Sequence, residues 1–137
     1  MDLKDTMMVS GAGMRAQGQR LKVIAENIAN SDSTSQTPGG EPYRRKVVTF
    51  KNQLDRQMGA DMVRVNKINT DNSDFQLKYD PTHPAANAEG YVMRPNVNSI
   101  IEVADMREAQ RAYEANLNMI EVTKSMLGRT IGLLRQQ

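Results

Sequence analysis

Residues 99–134 read SIIEVADMREAQRAYEANLNMIEVTKSMLGRTIGLL. Alternating steps of three and four from Val103 pick out Met106, Gln110, Tyr113, Leu117, Ile120, Lys124, Leu127, Ile131 and Leu134. Eight of these ten positions are apolar and no Pro interrupts them. That is the stripe of a long helix with close to a heptad repeat. A smaller stripe, Ala109, Ala112, Met119, Met126 and Leu133, runs beside it. Ser99 followed by Glu102 three residues later predicts a capping box with Ser99 as N-cap. At 1.5 Å per residue, Ile100 to Leu134 would span roughly 52 Å. A compact globule of this chain length has a diameter of only about 37 Å. The stripe therefore needs cover from beyond the chain's own interior, and its two faces imply more than one neighbour.

Working outward, a matching pattern occupies the N-terminal region from about Leu3 to Asn30. Leu3, Met7, Ser10, Met14, Gln17, Leu21, Ile24 and Ile28 are alternately four and three apart, and six of the eight are apolar. Gly11, Gly13 and Gly18 lie inside this helix pattern, each costing about 1 kcal/mol relative to Ala, so packing is expected to complete the helix. Small pairs, Ala12/Ala16, Ala25/Ala29 and Gly128/Gly132, would admit close neighbours. Asn30 and the polar run Ser31-Asp32-Ser33-Thr34-Ser35 before Pro38-Gly39-Gly40 mark its end. Between the helices, roughly Ser31 to Asn98, short strand patterns appear at Val47–Phe50, Val63–Val65 and Phe75–Tyr79, separated by turn chemistry. The expected fold is mainly α: long N- and C-terminal helices forming a coiled-coil-like pair, with a small β/loop insertion. The expected segments are an assembly helix over 1–30, the insertion over 31–98 and a second assembly helix over 99–137.

The chain has 137 residues, with 18 Lys+Arg against 16 Asp+Glu, one His, no Cys and no Trp. Without Cys there is no disulfide, thiol catalysis or Cys-ligated metal. A formal charge of +2 is too small for a nucleic-acid binder to lead. No stretch approaches the ~18 apolar residues of a membrane span, and the start lacks the basic region and apolar core of a cleaved secretory signal. His83, between two prolines, reads as a turn residue bonded to its own loop. Asp71-Asn72-Ser73-Asp74 lacks calcium-loop spacing. No phosphate loop or nucleophile elbow occurs. Arg44-Arg45-Lys46 reads as a solvated or intersubunit ion-pairing cluster. No catalytic, cofactor or metal residues are therefore expected. The candidate functional residues form a subunit interface: Met14, Leu21, Ile24, Ile28, Met106, Tyr113, Leu117, Ile120, Leu127, Ile131 and Leu134. From pattern alone, a soluble cytoplasmic coiled-coil adaptor is the alternative.

Several segments carry a family resemblance. Ser10-Gly11-Ala12-Gly13-Met14-Arg15-Ala16-Gln17 and Arg20-Leu21-Lys22-Val23-Ile24-Ala25-Glu26-Asn27-Ile28-Ala29-Asn30 resemble the N-terminal motif of bacterial flagellar axial proteins. Arg111-Ala112-Tyr113-Glu114-Ala115-Asn116, with Lys124-Ser125-Met126-Leu127, resembles their C-terminal helix. Gly40–Lys46 and Tyr79–Asn87, with Gly90-Tyr91-Val92 and Pro95-Asn96-Val97-Asn98, narrow the resemblance to the proximal-rod members. It implies a structural, non-enzymatic subunit of the basal-body rod that polymerises through its terminal helices into a torque-transmitting, export-conducting helical tube. It also implies export through the flagellar apparatus without a cleaved signal. The implied partners are the rod proteins FlgB, FlgF and FlgG, the junction protein FliE, the export apparatus and further copies of the chain, with neither nucleic acid nor membrane insertion.

Overall fold

The computed structural model describes residues 2–56 and 59–135. Its elements in chain order are α1 (Leu3–Ala29), β1 (Lys46–Asp55), β2 (Ala60–Thr70), β3 (Gln76–Tyr79), β4 (Tyr91–Arg94) and α2 (Ser99–Leu134). The outer ends of the expected segments, Met1 and Gln136–Gln137, lie outside the described residues.

The expectation of a mainly α chain is overturned. Helix accounts for 48% and strand for 22%, the strands forming two antiparallel two-stranded sheets, β1–β2 and β3–β4. The strand patterns foresaw the whole of β3 but not β4, and only pieces of β1 and β2. The reason for the last is that β1 exposes half of its side chains and β2 most of them. With no face buried there is no period-2 alternation to read, and the strands are held by their backbone ladder.

Helix ends follow local chemistry, partly against expectation. The Asp2 carboxylate accepts from Leu3 N (2.6 Å), and the Asp5 carboxylate reaches back to Asp2 N (3.0 Å). Only the returning half of a capping box forms at the start of α1, the Asp5 side chain on the Asp2 amide, while the Asp2 carboxylate stays on the next amide along. At α2 the expected Ser99/Glu102 box does not form. Asn98 is the cap, its Oδ1 accepting from Ile100 N (3.1 Å) and Ile101 N (3.4 Å). The end of α1 is closed by Asn30 Nδ2 on Glu26 O and Ser31 Oγ on Ile28 O, both 2.8 Å.

The chain divides into two compact units. The first comprises Met1–Leu21, Thr49–Lys67 and Arg107–Gln137; the second comprises Lys22–Val48 and Ile68–Met106. The first unit buries mainly small side chains: Ser10, Ala12, Ala16 and Ala109, with Met62 and Thr123. The second buries Val23, Ile24, Ala85, Val92, Pro95 and Val97 together with two polar residues, Asn27 and Glu102. There β3 pairs with β4 in the register Gln76↔Arg94 to Tyr79↔Tyr91, and the two tyrosine rings meet edge-on at 5.2 Å. The loop that joins these strands turns on Gly90, whose φ of 84° suits glycine. A Cβ there would also stand 3.0 Å from the Tyr79 ring and 3.1 Å from Pro81.

Candidate assembly interface

In the first unit α1 and α2 approach each other through their smallest side chains. A Cβ built on Gly13 would lie 2.9 Å from Asn116 Nδ2 and 3.0 Å from its Cγ and Oδ1. Further along, Arg20 Nη2 stands 3.6 Å from Glu108 Oε2. As α1 advances from Gly13 to Arg20, its partner on α2 retreats from Asn116 to Glu108, so the pairing is antiparallel. The inward residues of α2 here are Ala109, Asn116 and Thr123, every seventh residue. Asn116 Nδ2 donates to Ala112 O (2.8 Å) and Thr123 Oγ1 to Met119 O (2.7 Å). These polar groups are satisfied on their own helix, and the seam needs no large apolar residue.

That geometry sorts the interface candidates. Ile24 is buried; Met14, Leu21, Ile28, Met106, Tyr113 and Ile120 are half-buried. Leu117, Leu127, Ile131 and Leu134 are exposed by 38%, 42%, 50% and 70%. The stripe read from sequence thus straddles the true inward line. Met106, Tyr113 and Ile120 flank it, whereas Val103, Leu117 and Ile131 look outward. Met119, Val122, Met126 and Leu133 add a second outward apolar row. Most of the large side chains on the C-terminal half of α2 are therefore without cover from the chain itself.

The second unit contains a buried polar hub that the sequence reading missed. Glu102, 1% exposed, accepts from Arg45 Nε (2.5 Å) and Asn27 Nδ2 (3.0 Å). Asn27 also donates to Lys46 O and accepts from Lys46 N and Tyr43 Oη, each at 2.9 Å. All four of its hydrogen-bonding places are filled. Arg45 N donates to Asn96 Oδ1 (2.8 Å), and Asn96 Nδ2 donates to Asp71 O (3.0 Å). Arg45 further pairs with Asp71 and Asp105 at 3.8 and 3.7 Å.

The basic cluster thus makes its ion-pair and ring contacts within the chain, while Lys46 stays partly exposed. Arg45 reaches Glu102, Lys46 binds Glu26 at 3.0 Å, and Arg44 lies 4.2 Å over the Phe75 ring. Burial raises the Tyr43 hydroxyl above its ordinary 10.0, and the hydrogen bond to Glu26 raises Lys46 above 10.5. Hydrogen bonds from Ser73 hold Asp71 below 3.8. The only sequence signal for the hub was the Glu102 that also fits a capping box. His83 Nδ1 accepts from Ala85 N at 3.1 Å within its own turn.

Similarity to known proteins identifies the family. Residues 7–35 match the family described as "Flagella basal body rod protein", and residues 88–133 match "Flagellar basal body rod FlgEFG protein C-terminal". The chain is 50% identical to the flagellar basal-body rod protein FlgC of Agrobacterium fabrum, over 93% of this chain and 91% of that one. It is 42% identical to FlgC of Bacillus subtilis over 89% and 91% of the two chains. Against FlgC of Borreliella burgdorferi the identity is 40% over 98% and 99%. The chain therefore belongs to the family of the flagellar basal-body rod protein FlgC.

Proposed function

We propose that this structural subunit of the flagellar basal-body rod polymerises through the outward apolar side chains of α2, with segments 1–30 and 99–137 as assembly helices and 31–98 as an insertion. The observation that supports this is the division of α2. Its inward line is Ala109, Asn116 and Thr123, while Leu117, Leu127, Ile131 and Leu134 point to solvent. Fully burying a leucine stabilises by roughly 1.5–3 kcal/mol; these partly covered side chains would gain a part of that, and a helical polymer repeats the contact at every subunit. Two different faces per subunit are what a non-closing assembly requires. The role is structural and not catalytic. In this reading the subunit sits in the proximal rod, next to FlgB, FlgF, FlgG, FliE and the export apparatus, in a tube that transmits torque and conducts export.

Leu117→Asp and Leu127→Asp should leave the isolated chain as helical and as thermostable as the parent while abolishing swimming and arresting assembly at the rod. Ile120→Asp, beside the seam, should also lower stability. Normal motility in the first two variants refutes the interface assignment.

A further inference from the structure

The first unit carries a second surface that complements one ridge of α2. An open groove of about 440 Å³ lies between α1 and β2. Ala12, Ala16, Val63 and Val65 line it together with the polar Arg15, Gln19 and Arg64. Both arginines are exposed, and neither has an ion-pair partner among the described residues. On α2, Glu114, Leu117 and Glu121 occupy positions i, i+3 and i+7. At 3.6 residues per turn they share a face roughly opposite the inward line. Leu117 is 38% exposed, both glutamates are exposed, and neither has an ion-pair partner among the described residues. The other outward row, Met119, Val122 and Met126, has only Arg129 beside it as a charged residue and would bring like charge to the groove.

We propose that the occupant of this groove is a second copy of the chain, docked by its Glu114–Leu117–Glu121 ridge. Leu117 enters between the alanines and valines, and the glutamates meet Arg15 and Arg64. This rests on the reading that the chain polymerises and specifies how. The ridge and the groove are different surfaces of one subunit, so the contact is heterologous and propagates instead of closing into a dimer. Opposite charges placed around an apolar contact fix its register and exclude wrong pairings.

The test uses full-length chains in a flagellated strain lacking the native gene. Since the chain has no Cys, introduced thiols are the only ones that can join it. One chain carries Gln19→Cys beside the groove and the other Asn118→Cys on the ridge, and they are expressed together. Mild oxidation should give a disulfide-linked species of twice the chain's mass in the mixed strain and in neither single strain. Absence of that species, its formation in a single strain, or a disulfide to a different protein overturns the proposal. In parallel, Glu114→Arg with Glu121→Arg should cut swimming at least tenfold, and adding Arg15→Glu with Arg64→Glu to the same chain should restore it. Undiminished swimming with either reversed pair alone also overturns the docking. Failure to restore swimming overturns it unless the mixed-strain disulfide forms, in which case the docking stands. Swimming by the deletion strain refutes rod function itself and is thereby distinguishable.

Discussion

The two units hold their helices together by different means. In the second, Asn27 on α1 and Glu102 on α2 are tied to each other and to Arg45, Lys46 and Tyr43 by a buried network in which Asn27 leaves no place unfilled. In the first, α1 and α2 come together where Gly13 faces Asn116 and through the Arg20–Glu108 ion pair, with the small Ala109 and Thr123 buried on the same line of α2. A network of that kind fixes one arrangement, because any slip strands a buried charge. The small-residue seam fixes distance and leaves the large residues of α2 for other chains. Specificity within the chain and availability to neighbours are thus assigned to different regions.

The largest test of that contrast is Arg45→Ala. It strands the buried Glu102 carboxylate and should cost about 3–5 kcal/mol. For a chain of this size that corresponds to a melting temperature lower by more than about 10 °C, read by circular dichroism. A loss below about 1 kcal/mol would mean that the hub does not hold the second unit.

A smaller but more discriminating test concerns glycines in one helix. Gly18→Ala meets nothing within 4 Å and should stabilise by about 0.5–1 kcal/mol through helix propensity. Gly13→Ala drives its Cβ into Asn116 and should destabilise by about 1 kcal/mol, with Asn116→Ala restoring the loss. Equal signs for the two alanines would remove the close-packed seam.

The smallest expected effect is at alkaline pH. Tyr43 and Lys46 both have raised values, so the folded state favours their protonated forms. Their contribution is present in full below pH 10 and is lost as pH rises through the folded values. Denaturation midpoints should fall above pH 10, and the fall should flatten in Tyr43→Phe combined with Lys46→Met. The Glu26–Lys46 pair is largely exposed, so its share is within about 1 kcal/mol.

Both helices were legible in the sequence because each carries a long heptad-spaced pattern without Pro, and α1 and α2 end within a residue or so of where the pattern stops. Which line of α2 faces inward was not legible. Hydrophobicity pointed to Leu117 and Ile131, whereas the closest approach uses Asn116, and an asparagine opposite a glycine carries no hydrophobic signal. The capping box illustrates a similar ambiguity. Ser99-x-x-Glu102 has the right letters, yet Arg45, 57 residues away in the chain, takes the carboxylate. Asp2-x-x-Asp5, with less typical letters, forms half of such a box, the Asp5 carboxylate accepting from Asp2 N. The β1–β2 hairpin was hidden for the opposite reason, since strands exposed on half or more of their positions leave little alternation behind.

Sequence by itself settled what depends on neighbours a few residues apart: two long helices, a turn-rich stretch between them, and an apolar excess on α2 larger than one small chain can bury. Tertiary structure alone decided which side of α2 turns inward, that Glu102 and Asn27 form a buried hub, and that the intervening chain pairs into two sheets. Those outcomes hang on residues far apart in the chain, where the close fit of Gly13 against Asn116 and the charge on Arg45 outweigh any local preference.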